Sequence, residues 1–178
     1  MSGVDEGDTR HDPVLGSGAT PVDGPLGRLV VVFDNRIAQS LTAIATATGW
    51  SVTALDAAPT AEEARALGHV DALVVCNHDG EGAYDLLRAA LRDGVGYVAM
   101  MASRGRSAAL LEQLRAEGFD EEQLDRLHVP AGLSIGGSSP GEIALSVVAE
   151  VVADAHDRPG GPMRGPRGVP PGGAPPVD

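Results

Sequence analysis

Four short apolar runs punctuate this chain, and each leads through a polar turn into residues whose apolar positions recur at helical spacing. Leu29-Val30-Val31-Val32-Phe33 is continuous and rich in β-branched residues, the mark of a strand covered on both faces. Ile37, Leu41, Ile44, Ala45 and Thr48 then fall at helical intervals, Gly49 closes that helix, and Ser51 to Leu55 reads as a second strand. Thr60 caps a short helix through Ala66, and Ala72-Leu73-Val74-Val75-Cys76 makes a third strand. Ala83 to Arg92 is amphipathic and ends at Gly94, after which Tyr97 to Met100 forms a fourth strand. Helices follow from about Ser107 to Gly118 and from Asp120 to Leu127. A final helix opens at Ser139-Pro140-Gly141-Glu142, a capping box with proline at the first helical position. Strands alternating with helices across short turns predict an α/β fold, a doubly wound parallel sheet forming a Rossmann-like three-layer sandwich. Leu29 to Phe33 is expected at the centre of five or more strands, because it is the most continuously apolar.

The ends of the chain change character. Residues 1–27 and 157–178 are rich in Gly and Pro and carry no apolar period, so they are expected to be disordered tails around one domain at 28–156. No apolar run reaches the roughly 18 to 20 residues of a membrane span, and the acidic N-terminal stretch lacks the basic-then-apolar order of a leader. A cytoplasmic location is expected, and the single Cys76 agrees with a reducing compartment. The formal net charge of -12 works against binding nucleic acid or anionic lipid. All 13 basic residues are arginine, which removes Schiff-base and P-loop lysine chemistry while leaving a planar fork of donors for anions. There is no H-E-x-x-H run and no serine is read in a G-x-S-x-G elbow, so neither a zincin nor a hydrolase is expected.

Polar clusters follow three of the strands, at the edge where open α/β sheets bind ligands. After the first strand a dinucleotide fold carries G-x-G-x-x-G, but this chain reads Phe33-Asp34-Asn35-Arg36-Ile37-Ala38, so NAD is not an expected cofactor. Asp56 ends the second strand, where an acid holds a ribose in such folds or is only a loop acid. Asn77-His78-Asp79 follows the third strand, and an imidazole beside a carboxylate can transfer protons or bind a metal. The plainer alternative is that Asp79 caps the next helix and His78 is solvated. Cys76 reads as a buried small hydrophobe or, less simply, a thiolate ligand. After the fourth strand, Ser103, Arg104 and Arg106 bring hydroxyl, backbone N–H and guanidinium donors to one helix start, where the dipole also favours an anion. There the plainer alternative is a serine cap with solvated arginines. His128 reads as a turn residue before Val129-Pro130.

Taken in order, Asn77-His78-Asp79, Ala102-Ser103-Arg104, His128-Val129-Pro130-Ala131-Gly132-Leu133 and Pro140-Gly141-Glu142-Ile143-Ala144 resemble the C-terminal Rossmann-like domain of the XdhC/CoxI family. Members of that family are accessory proteins that mature the molybdenum cofactor of xanthine and carbon monoxide dehydrogenases. The family has Thr, Gly and Gly where this chain has Asn77, Ala102 and Phe33, and a further Gly at Asn35. The resemblance implies a molybdenum-pterin cofactor as ligand, with Ser103, Arg104 and Arg106 on its phosphate and Asn77, His78 and Asp79 toward its ring. It implies a binding or accessory protein rather than a catalyst, and partners that are a molybdenum hydroxylase apoenzyme or a separate protein carrying the XdhC/CoxI N-terminal domain. A homodimer is compatible with it. Two other classes stay open: an oxidoreductase-like protein using NAD(P), and an interaction module that binds no ligand.

Overall fold

The computed structural model describes residues 26–59 and 72–163, and in them successive side chains of each inner strand enter two separate cores. The order is β1 (Arg28–Val32), α1 (Arg36–Ala47), β2 (Ser51–Leu55), β3 (Ala72–Val75), α2 (Ala83–Asp93), β4 (Tyr97–Met100), α3 (Arg104–Ala116), α4 (Glu121–Asp125), β5 (Leu127–His128) and α5 (Pro140–Ala155). The helix expected at Thr60 to Ala66 and most of both expected tails lie outside the described residues. At the inner margin of the first tail, the Leu26 N–H donates to Gly49 O at 3.0 Å and the Ser51 N–H to Gly27 O at 2.9 Å.

The five strands are parallel in the order β2-β1-β3-β4-β5, the α/β Rossmann-like architecture that the alternation predicts. Val30, Val32, Leu73, Val75, Val98 and Met100 pack toward α2, α3 and α4, whereas Leu29, Val31, Ala72, Val74, Tyr97 and Ala99 pack toward α1 and α5. Period-two alternation turns a continuous apolar run into two cores. Fully burying each such valine or leucine contributes about 1.5 to 3 kcal/mol before chain entropy is set against it.

Three expectations change in the folded chain. β3, rather than β1, holds the middle of the sheet, with β1 between β2 and β3. Apolarity reports cover on both faces, and β3 and β4 are as fully covered as β1, so it cannot rank strands by position. α3 begins at Arg104, ahead of Ser107, because the Ser103 hydroxyl accepts the Arg106 N–H as N-cap and the buried Ser107 hydroxyl donates to Ser103 O at 2.9 Å. His128 is not a turn residue but the end of β5, with Leu127 opposite Val98 and His128 opposite Ala99. A two-residue strand has no period to read; it is made by the unpaired edge of β4.

Candidate functional site

β1 and β3 are neighbours whose crossovers leave to opposite sides, so the crevice of this fold opens at their C-terminal ends. The side chains there fill it. Phe33 leaves β1 with φ 72°, a left-handed conformation that glycine favours and a bulky residue rarely adopts. Its ring lies against the β3 turn, where a Cβ added to Gly80 would sit 2.4 Å from it. Asn35 caps α1: its Oδ1 accepts the Ile37 and Ala38 N–H groups at 2.9 and 3.0 Å, and its Nδ2 donates to Cys76 O at 3.0 Å. The donors that a helix N-terminus offers to a phosphate are here partly engaged by the cap, and one amide ties the two loops together. Asp34 adds a carboxylate, held by the Gln39 side-chain amide at 3.0 and 3.1 Å.

Beyond the crevice, between the β3 turn and α3, lies a cavity of ≈ 250 Å³ lined among others by His78, Asp79, Tyr84, Met100, Arg106 and Leu110. The Asn77 side chain accepts the Asp79 N–H at 3.1 Å and shapes the turn that presents the next two residues. Arg106 reaches back from the first turn of α3, donating to Asp79 Oδ1 at 2.6 Å and contacting His78 Nε2, which stands 3.1 Å from Asp79 Oδ2. His78 and Asp79 thus both meet the Arg106 guanidinium. Asp79 does not cap α2, whose N-cap is Gly82 with φ 77° and no side-chain hydrogen bond.

Of the residues singled out in sequence, His78, Asp79 and Arg106 meet directly, Asn77 supports their turn, and Ser103 serves as the α3 cap. Arg104 is exposed and makes no hydrogen bond or ion pair among the described residues. Tyr84, absent from the sequence reading, closes the cavity and donates to Glu117 at 2.9 Å; burial, then Glu117, pushes its hydroxyl up to about 12, so it stays protonated near neutrality. The Cys76 thiol is buried and pushed up to about 12 by that burial, which fits the hydrophobe reading and not the thiolate.

A second polar constellation joins β4, the loop after β5 and α5. The buried Tyr97 hydroxyl donates to Glu150 Oε2 at 2.7 Å, and the Gly132 N–H donates to the same oxygen at 2.8 Å. His128 stacks on the Tyr97 ring with centroids 4.1 Å apart, its Nδ1 3.6 Å from Glu150 Oε1 and its Nε2 3.8 Å from Asp154 Oδ1. Burial raises the Glu150 carboxyl, but His128, the Gly132 N–H and the Tyr97 hydroxyl together outweigh it and hold the group below the ordinary carboxylate range. By distance, Tyr97 and Gly132 make the closer bonds. No local spacing ties residue 97 to 150, so only the fold discloses this set.

Gly132-Leu133-Ser134-Ile135-Gly136 spells G-x-S-x-G, yet it lies in the loop between β5 and α5 rather than at a strand-to-helix elbow. Ser134 is exposed and its hydroxyl has no partner among the described residues, so it lacks the base that would activate it. Among the described residues no group of three or more His, Cys, Asp or Glu side chains is placed to hold a metal ion. No helix among them is long and apolar enough to cross a membrane.

Comparison with known proteins agrees with this architecture. YqeB, an uncharacterized protein of Escherichia coli strain K12, is 37% identical over 94 residues, covering 53% of this chain and 17% of YqeB. A crystal structure described as a xanthine dehydrogenase from Bacillus halodurans superposes with a TM-score of 0.59 at 19% identity, covering 79% of this chain and 45% of that one. The chain therefore spans less than half the length of either relative. The family model described as the XdhC Rossmann domain matches residues 29–151, from the first core strand through most of the last helix, and the chain belongs to that family.

Proposed function

We propose that this chain is an accessory module in the maturation of molybdenum hydroxylases, of the xanthine or carbon monoxide dehydrogenase type, which holds a molybdenum-pterin cofactor as cargo by its phosphate. The observation that carries this reading is the convergence of His78, Asp79 and Arg106 on one cavity beside the start of α3, in a chain of the XdhC family. Arg104, which has no ion pair among the described residues, and the Ser103 cap stand at a helix N-terminus that favours an anion. Arg106 is already neutralised by Asp79, so it orients the turn and Arg104 supplies the unspent charge. His78 and Asp79 face the cavity as hydrogen-bonding groups for a pterin-like ring. The partner is the apoenzyme or a protein bearing the XdhC/CoxI N-terminal domain, and the half-exposed Ile135 and Leu145 offer apolar contact to it. The closed turn at Phe33 and Asn35 supports this reading over an NAD-dependent oxidoreductase.

Binding of molybdenum cofactor followed by native mass spectrometry tests the proposal. A charge-assisted bond contributes about 1.5 to 3 kcal/mol, so Arg104→Ala should weaken binding by roughly tenfold or more. Arg115→Ala is the control, because Arg115 pairs with Glu121 at the far end of the same helix. Equal binding by wild type and Arg104→Ala, with unchanged circular dichroism, overturns the anion site. No binding by either protein favours a docking module whose cofactor chemistry resides on the partner.

A further inference from the structure

Among the described residues that line the cavity between the β3 turn and α3, Asp79 is the one carboxylate and Arg106 the one guanidinium, and they bind each other at 2.6 Å. The cavity's fixed positive charge is therefore engaged before any ligand arrives. Resting on the reading of this cavity as a phosphate site, we propose that Asp79 is a built-in competitor, an internal anion that holds Arg106 until a ligand phosphate displaces it and takes the guanidinium.

The pair is placed for exchange. The Asp79 and Arg106 side chains are 67% and 56% exposed, and an ion pair so open to water contributes little, because solvent screens it and two side chains must be held still. Arg106 meets both Asp79 and His78 through Nη1 alone, so Nε and Nη2 have no partner among the described residues and a planar fork of donors is left for an incoming phosphate. The turn does not depend on the pair either. It is held by the Asp79 backbone N–H on Asn77 Oδ1 at 3.1 Å, by the Gly80 N–H on Asn77 O at 3.3 Å, and by the Phe33 ring over Gly80, none of which uses the Asp79 carboxylate. A displaced carboxylate keeps His78 Nε2 as a neighbour, 3.1 Å from Oδ2. This role has a distinctive sign. A carboxylate that only built the turn or only touched the ligand would cost affinity when neutralised, whereas a competitor raises affinity when it is removed.

Calorimetry of inorganic pyrophosphate binding to the full chain at fixed ionic strength provides the test. Asp79→Asn keeps the shape and the backbone N–H but removes the charge, and it should bind pyrophosphate roughly two- to fivefold tighter than wild type. Asp79→Glu, which keeps the charge, should show no such gain. In an Arg106→Ala background the gain from Asp79→Asn should shrink, because the group competed for is absent. In wild type, saturating pyrophosphate should move the Asp79 carboxyl carbon resonance, assigned by its loss in Asp79→Asn. Equal or weaker binding by Asp79→Asn with unchanged circular dichroism, an undiminished gain without Arg106, an unmoved Asp79 resonance, or no pyrophosphate bound by either protein overturns the proposal. Molybdenum cofactor binding that depends on Arg104, found alongside any of those results, would leave the cofactor reading standing and sink the competitor alone.

Discussion

Phe33 holds a left-handed backbone, which costs a non-glycine residue on the order of 1 to 3 kcal/mol, and its ring recovers cohesion by packing over Gly80. Gly80 has no positive φ, so its lack of a side chain serves the ring and not the backbone. Gly80→Ala should therefore destabilise the fold by about 1 to 3 kcal/mol in urea denaturation, through overpacking. In a Phe33→Ala background the same change should cost much less, and an equal cost in both would show that the ring does not rest there. Sequence exposed the departure from a glycine-rich turn, because a phenylalanine at that position is plain to read. It could not show where the ring goes, since Gly80 is 47 residues away and acquires its meaning only when β1 and β3 lie side by side.

At the scale of elements, what is local was readable and what is borrowed was not. The α5 start was legible from four consecutive residues, and the Ser139 hydroxyl and Glu142 carboxylate cap each other's backbone N–H groups as that signature demands. Ser139→Ala should lower stability by about 1 kcal/mol, measured as the shift in denaturation midpoint near neutral pH. The Ser139 hydroxyl, then the Ser139 and Ser138 N–H groups, hold the Glu142 carboxyl below its ordinary value. A lowered folded value contributes stability above the unfolded value and loses it as pH falls through the folded one. The cost of Ser139→Ala should thus shrink on acidification below the ordinary glutamate range, and a cost independent of pH would rule out the carboxylate's share. β5 shows the opposite case: two residues carry no pattern, and their pairing is dictated by the open edge of β4.

Across the whole molecule, Glu150 joins the start of β4, the loop after β5 and α5 through Tyr97, Gly132 and His128. Glu150→Gln should destabilise by about 1 to 3 kcal/mol at neutral pH, because it weakens charge-assisted bonds in a largely dry place. Its folded value is lowered, so its contribution is full above the ordinary carboxylate value and fades as pH falls through the folded one. The acid limb of a stability profile should accordingly be shallower in Glu150→Gln than in wild type, and parallel limbs would refute this role. By itself, the sequence determined the α/β alternation, the parallel sheet, the capping signals and the position of polar clusters after strands. All of these rest on periods and caps that span a few neighbouring residues. The tertiary structure alone decided that β3 lies in the middle, that Arg106 turns back to His78 and Asp79 while Arg104 has no ion pair among the described residues, and that the Phe33 ring packs over Gly80. Those outcomes depend on which strands become neighbours, and chain-distant pairing leaves no trace in local spacing.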